Sequence, residues 1–116
     1  MTIDTGALTD RGTTMTRHLA CSDGELQPGT SMTIAGSIRI ALFRNETGEY
    51  FATADRCSHE EWSLGEDSDL EGNEVVCPLH MARFDIRTGQ PLCLPAIEAL
   101  RTFAVEIEDG NVYVVE

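Results

Sequence analysis

Apolar residues alternate with small or polar residues through most of the chain, and this alternation constrains the fold more strongly than any other feature. A period of two places the apolar side chains of an extended segment on one face, so each such segment predicts a half-buried β-strand. No segment has a helical stripe ten residues long. We therefore expect an all-β antiparallel domain of short strands. The alternating apolar positions are Met32, Ile34, Ile38, Ile40, Leu42, Phe103, Val105, Ile107, Val112 and Val114.

Turn-forming residues separate the predicted strands at residues 45–48 (Asn-Glu-Thr-Gly), 71–74 (Glu-Gly-Asn-Glu) and 87–89 (Arg-Thr-Gly). Asp109-Gly110 is a strong signal for a two-residue hairpin turn between the last two strands. Strand signals are sparse from Asp55 to Asn73. Connections of that length are usually functional or disordered.

The length of 116 residues allows one domain. Residues 1–16 contain six Thr, two Asp and two Gly with few apolar residues. Such a segment cannot bury enough surface to offset the entropy lost on ordering, so we expect a mobile N-terminal tail. Residues 17–116 are then the single folded domain.

The charge balance excludes several classes of function. The chain has 20 acidic and 8 basic residues, a net charge of −12, which opposes binding to nucleic acid and to anionic membranes. No apolar run approaches the roughly 18 residues that span a bilayer. The N-terminus has neither the basic start nor the apolar stretch of a signal peptide. These features favour a cytoplasmic protein.

Two short motifs carry the candidate chemistry: Cys57-x-His59 and Cys77-x-x-His80, with seventeen residues between His59 and Cys77. Each offers one thiolate and one imidazole. A [2Fe-2S] cluster has two irons, so two such loops can each give sulfur to one iron and nitrogen to the other. With two neutral imidazoles the oxidised cluster carries no net charge, which makes an electron easier to add and raises the potential.

A structural zinc site is the alternative for these four residues, because two Cys and two His are also a zinc ligand set. Zinc modules usually take both cysteines from one knuckle and both histidines from another element, whereas here each loop mixes the two types. The remaining cysteines, Cys21 and Cys93, are expected to be buried thiols that behave as small hydrophobic residues.

The two motifs, with their flanking residues through 57–64 and 77–89, resemble those of the Rieske iron–sulfur proteins. More narrowly, roughly residues 17–116 resemble the small Rieske ferredoxins of aromatic-ring-hydroxylating dioxygenases of the biphenyl, cumene and carbazole type. The resemblance implies one [2Fe-2S] cluster, with Cys57 and Cys77 on the inner iron and His59 and His80 on the outer iron.

The resemblance also implies the Rieske fold: an antiparallel β-sandwich-like base that carries a small cluster-binding subdomain at about residues 46–89. A proline-containing third loop, here residues 91–95 (Pro-Leu-Cys-Leu-Pro), would cover the cluster. Respiratory Rieske proteins carry an additional cysteine in each ligand loop, where this chain has Trp62 and Leu79. These two positions argue against the respiratory subclass. Glu60 stands where many dioxygenase ferredoxins have Gly.

The function implied is electron transfer without catalysis. A soluble one-electron carrier of this kind, a monomer, passes electrons from an NAD(P)H-dependent flavoprotein reductase to the terminal Rieske oxygenase of an aromatic hydrocarbon dioxygenase system. Two alternatives remain: a zinc-stabilised interaction module, and a Rieske subunit held permanently in a larger oxidoreductase. An exposed apolar docking patch would favour the permanent subunit.

The surroundings of the motifs suggest how such a carrier docks and at what potential it works. No Lys or Arg occurs from residue 57 to 82, so the acids there form either a solvated face or a surface that steers a partner. High-potential Rieske proteins place Ser and Tyr hydroxyls where this chain has Ala82 and Phe84, which predicts a low potential. Arg83 and Arg87 either pair with nearby acids or meet a partner. The acids are Glu60, Glu61, Glu66, Asp67, Asp69, Glu71 and Glu74.

Overall fold

A computed structural model describes residues 6–8, 14–56, 63–66, 68–77, 82–92 and 98–116. Every regular element in these ranges is a β-strand, and none is a helix long and apolar enough to cross a membrane. The strands are β1 (Gly6–Leu8), β2 (Thr14–Ser22), β3 (Thr30–Ala35), β4 (Arg39–Arg44), β5 (Tyr50–Ala54), β6 (Asp69–Glu71), β7 (Glu74–Cys77), β8 (Ala82–Asp85), β9 (Thr102–Glu108) and β10 (Asn111–Val115).

The strands form two sheets in which all pairs are antiparallel, so the predicted all-β antiparallel domain is confirmed. The large sheet has the order β1-β2-β10-β9-β5-β4-β3, and the small sheet has the order β6-β7-β8. The two halves of the large sheet join through β5 and β9, at the pairs Ala52↔Phe103 and Thr53↔Thr102.

Strand β4 lies between two apolar clusters and is buried on both faces. Ile40 and Leu42 pack with Val112 and Val114 in the core of the large sheet. Ala41 and Phe43 point the other way and pack against the small sheet. We call this second group the bridging cluster, because it holds the small sheet against the large one. Its buried members are Ala41, Phe43, Leu64, Val75, Cys77, Ala82, Phe84, Ile86 and Leu100.

The predicted turns are confirmed. Asp109 and Gly110 both have positive φ, +53° and +78°, as a two-residue turn of this handedness requires. Two alternating positions are less buried than the pattern predicts. Ile38 precedes β4 and Ile107 lies in β9 beside the β9–β10 turn, and both are exposed.

Residues 14–16 belong to the large sheet although they fall inside the predicted tail. They pair with β1, and Thr16 also exchanges two backbone hydrogen bonds with Glu116, at 2.8 and 3.1 Å. Backbone pairing needs no apolar side chain, so composition alone did not indicate this pairing. The mobility of residues 1–16 stays a prediction.

The small sheet spans Asp69–Asp85 and so starts later than the subdomain predicted at about 46–89. Strand β5 falls within that range but pairs with β4 and β9 in the large sheet. The cluster-binding role of the small sheet stays a prediction at this point.

Candidate metal centre

The first predicted ligand loop, residues 57–62, begins and ends at neighbouring points of the backbone. Arg56 and Ser63 form an antiparallel bridge across its base. The Leu64 amide donates a hydrogen bond of 2.8 Å to the Asp55 carbonyl oxygen. The loop therefore leaves the end of β5 and returns to it.

The second predicted ligand loop, residues 78–81, closes the β7–β8 hairpin. Cys77 is the last residue of β7 and pairs with Ala82, the first residue of β8. Both side chains are fully buried. The hairpin thus holds the two ends of this loop as neighbours in the sheet.

A third segment follows β8 and corresponds to the predicted covering loop. Pro91 forms a backbone bridge with Phe84, and the Leu92 amide donates a hydrogen bond of 2.8 Å to the Arg83 carbonyl. Beyond residues 93–97 the chain returns to Gly89, whose carbonyl accepts a 2.7 Å hydrogen bond from the Leu100 amide. Gly89 has a φ of +78°, and a Cβ there would collide with the Leu100 carbonyl.

The bridging cluster gathers the ends of all three loops. Leu64 stands just after the first loop, Cys77 and Ala82 flank the second, and Phe84 pairs with the start of the third. Buried apolar side chains pack at close to crystal density, so these residues fix the loop ends relative to one another. This packing brings together segments that lie far apart in the sequence.

Of the four predicted ligands, Cys77 lies within the described ranges. Cys57, His59 and His80 lie outside them, as do Trp62 and Cys93. Within the ranges that the structure describes, no three His, Cys, Asp or Glu side chains form a group that could hold a metal ion. The ligand set therefore stays a prediction.

The chemistry of the available residues fits an iron–sulfur cluster. A buried thiolate is costly unless its charge is compensated. A coordinating metal removes the proton and neutralises the sulfur, so the buried position of Cys77 beside the second loop suits an iron ligand. Cys21 differs, because it lies in the core of the large sheet and burial raises the pKa of its thiol. The predicted burial of Cys21 is confirmed.

Asp55 was not predicted from the sequence, although its carboxylate is buried beside the first loop. One carboxylate oxygen, Oδ1, accepts hydrogen bonds from the Ser63 hydroxyl at 3.1 Å and from the Gly65 amide at 2.8 Å. The other, Oδ2, lies 3.6 Å from Nε of Arg39. The only signal in the sequence was an acid two positions before Cys57.

The arginines near the site are engaged in internal ion pairs. Arg83 donates to Glu71 at 3.0 Å and to Glu74 at 3.1 Å, and these hydrogen bonds raise its pKa. Arg87 donates to Asp85 at 2.9 and 3.0 Å, which lowers the pKa of that carboxyl group. Arg83, which lies outside the acidic run in the sequence, therefore partly neutralises it, whereas Arg87 pairs with an acid beyond the run.

Among the other described acids of the run, Glu66 lies 3.4 Å from Arg39, and Asp69 is exposed at the start of β6. Glu60, Glu61 and Asp67 lie outside the described residues. The part of the run that the structure describes is thus an acidic surface on which Arg39 and Arg83 form ion pairs.

The family model of the Rieske [2Fe-2S] domain matches residues 16–104. The chain belongs to this family. It is 42% identical over 100 residues to the 3-phenylpropionate/cinnamic acid dioxygenase ferredoxin subunit of Photorhabdus laumondii, covering 86% of this chain and 94% of that protein. It is 45% identical over 94 residues to the ferredoxin component of biphenyl 2,3-dioxygenase from Rhodococcus jostii, covering 81% and 87%.

A solved structure shows the same architecture. A chain from the complex of reduced oxygenase and oxidized ferredoxin in carbazole 1,9a-dioxygenase superposes with a TM-score of 0.79 at 34% identity, covering 84% of this chain and 91% of that one. The predicted Rieske fold is therefore confirmed.

The family decides between the two metals considered for the Cys-His motifs. The cofactor of the Rieske family is one [2Fe-2S] cluster, so the alternative of a structural zinc site is rejected. The relatives are ferredoxin subunits of dioxygenase systems, and ferredoxins are electron carriers. The chain is accordingly an electron-transfer protein and not itself an enzyme.

Proposed function

We propose that this protein carries single electrons from an NAD(P)H-dependent flavoprotein reductase to the terminal Rieske oxygenase of an aromatic-ring-hydroxylating dioxygenase system. The observation that carries the proposal is the pair of mixed Cys-His motifs in a chain more than 40% identical to dioxygenase ferredoxin subunits. The ends of the loops that carry these motifs are anchored to the bridging cluster. A cytoplasmic location and a monomeric state belong to the same proposal.

The ligands in this proposal are Cys57 and Cys77 on the inner iron and His59 and His80 on the outer iron. The bound cluster supplies the chemistry, which is the reversible uptake of one electron. The burial of Cys77 among apolar side chains supports its assignment as an iron ligand. Those side chains exclude water from the sulfur and hold the two ends of the second loop.

The oxygenase as electron acceptor is supported by the similarity to a chain of the carbazole dioxygenase complex, which contains an oxygenase and a ferredoxin. A net charge of −12 suits brief encounters with basic partner surfaces. Four large apolar side chains are exposed in the described ranges. They are Leu19, Ile38, Leu92 and Ile107.

Electron transfer can be tested with purified components. The ferredoxin would be mixed anaerobically with NADH and the reductase of a biphenyl dioxygenase system, and bleaching of its visible absorbance followed by stopped flow. We expect uptake of one electron per chain, followed by reoxidation when the oxidised oxygenase is added. A protein with a full cluster that exchanges no electron with the oxygenase would contradict the proposal.

A control separates this outcome from a poorly assembled cluster. Chemical reduction with dithionite should give the EPR signal of one reduced Rieske cluster per chain. Sedimentation equilibrium of the same sample tests the monomeric state, since a dimer would give a molecular mass twice that of the chain.

A further inference from the structure

A buried carboxylate stands at the base of the first ligand loop and is shared by both ends of that loop. Asp55 is 2% exposed and precedes the loop, while its two closest donors, Ser63 and Gly65, follow it. The main chain of Asp55 adds a third link, because its carbonyl accepts from the Leu64 amide. One residue thus ties the start of the loop to its end.

The segment on the far side of the loop is fitted closely to this carboxylate. A Cβ at Gly65 would lie 2.9 Å from Oδ1 of Asp55 and 2.7 Å from the Met32 carbonyl oxygen, so no larger residue fits without movement. The Gly65 carbonyl accepts a 2.8 Å hydrogen bond from the Ser31 hydroxyl. The returning chain is therefore held between Asp55 and β3.

A carboxyl group buried out of water is stable only when its oxygens are hydrogen-bonded or paired. Arg39 contributes little, since its side chain is 59% exposed and its Nε lies 3.6 Å from Oδ2. The compensation comes from the hydrogen bonds donated by the returning chain. The hydrogen bonds from Ser63 and Gly65 thus stabilise the carboxylate and at the same time fix the end of the loop.

We propose that Asp55 is a positioning residue of the iron–sulfur site. Its carboxylate fixes the end of the first loop and thereby orients Cys57 and His59 toward the cluster. The inference rests on the proposed ligand set. It concerns the geometry of the cluster and not the identity of the partner proteins.

Asn45 offers a matched control. Its side chain is also buried, and it donates to Glu49 at 3.0 Å and to Asn73 at 2.8 Å while accepting from Thr47 at 2.9 Å. It ties the β4–β5 turn to the β6–β7 turn, at the opposite end of β7 from Cys77. Its loss removes buried hydrogen bonds without touching the first loop.

The experiment compares Asp55→Ala, Asp55→Asn and Ser63→Ala with Asn45→Ala in the full chain. The readouts are the EPR spectrum of the dithionite-reduced protein, the rate of bleaching in excess EDTA, and urea unfolding. For Asp55→Ala we expect shifted g values and bleaching at least about tenfold faster. One hydrogen bond to a charged group changes an equilibrium constant by roughly that factor.

Asp55→Asn keeps an acceptor oxygen for Ser63 and Gly65, so it should restore the wild-type EPR spectrum. Asn45→Ala should lower the urea midpoint while its EPR spectrum stays that of the wild type. The proposal is overturned if Asp55→Ala keeps the wild-type spectrum and bleaching rate, if Asp55→Asn is as defective as Asp55→Ala, or if Asn45→Ala shifts the spectrum equally.

If Asp55→Ala does not fold, Ser63→Ala decides. It removes one of the two hydrogen bonds to Oδ1, and a spectrum identical to that of the wild type would refute the proposal. These outcomes are independent of the proposed function, because a wild-type protein that exchanges no electron with an oxygenase would still give the EPR comparison.

Discussion

Replacing Leu64 by alanine tests whether the apolar residues of the bridging cluster hold the two predicted iron–sulfur ligand loops together. Leu64 is fully buried just after the first loop, in the same buried cluster as Cys77 and Ala82, which flank the second. The change removes three carbon atoms, about 2.4 kcal/mol at roughly 0.8 kcal/mol for each buried carbon. The remaining cavity adds to this, so we expect a loss of about 3 kcal/mol.

A loss of that size is a large share of the stability of a domain this small, which is of the order of 6–17 kcal/mol. Each kcal/mol lowers the unfolding temperature by about 4 °C in a domain of this size. Leu64→Ala should therefore unfold about 12 °C below the wild type. Because the cavity opens beside both ligand loops, the cluster should also be lost faster.

Leu42→Ala is the control, since Leu42 is equally buried but lies in the core of the large sheet. Calorimetry gives the unfolding temperatures, and bleaching of the visible absorbance at 25 °C in excess EDTA gives the rate of cluster loss. We expect similar falls in unfolding temperature but faster cluster loss in Leu64→Ala. Equal rates in the two variants would refute the role assigned to the bridging cluster.

Four further outcomes are expected. Cys57→Ser should abolish normal cluster assembly, since the metal cross-links two loops; a variant with full red-brown colour and the wild-type EPR spectrum would contradict its role as a ligand. Rising salt should slow second-order reduction by the reductase, because the Debye length is about 10 Å at 0.1 M; stopped-flow rates that do not change with salt would count against steering. The reduction potential should lie near the low end of the Rieske range, about −150 mV, and Ala82→Ser combined with Phe84→Tyr should raise it in film voltammetry; a wild-type value well above 0 mV would exclude this explanation. The lowered pKa of Asp85 means that its carboxylate stabilises the fold above the unfolded pKa of about 3.9, and that this contribution is lost as the pH falls through the lower folded pKa. Asp85→Asn should therefore lower the urea midpoint at pH 7 and have a shrinking effect below about pH 4; an effect that grows on acidification would be inconsistent with that sign.

Local sequence determined the elements that depend on neighbouring residues. The alternation of Phe103 with Val105, and of Val112 with Val114, predicted strands because side-chain direction in a strand depends only on position along it. Asp109-Gly110 predicted its turn because the two φ values are local. The mixed Cys-His motifs pointed to the cluster because ligand type and spacing belong to the sequence.

The tertiary structure decided what depends on residues that are distant along the chain. The alternation showed only one buried face of β4, because Ala41 and Phe43 became core residues when the small sheet packed on them. Arg83 could not be assigned a partner until strands β6 and β7 brought Glu71 and Glu74 beside it. Ion pairs of this kind form between strands, and no short sequence window contains both members.

Asp55 shows the same limit at the site itself. An acid at the end of a strand is ordinarily solvated, and the sequence predicts no burial for it. Its carboxylate is buried because the chain returns after the first loop and covers it with Ser63 and Gly65. The sequence by itself determined which residues can bind the cluster, whereas the packing of the returning chain decided which residue holds their loop in place.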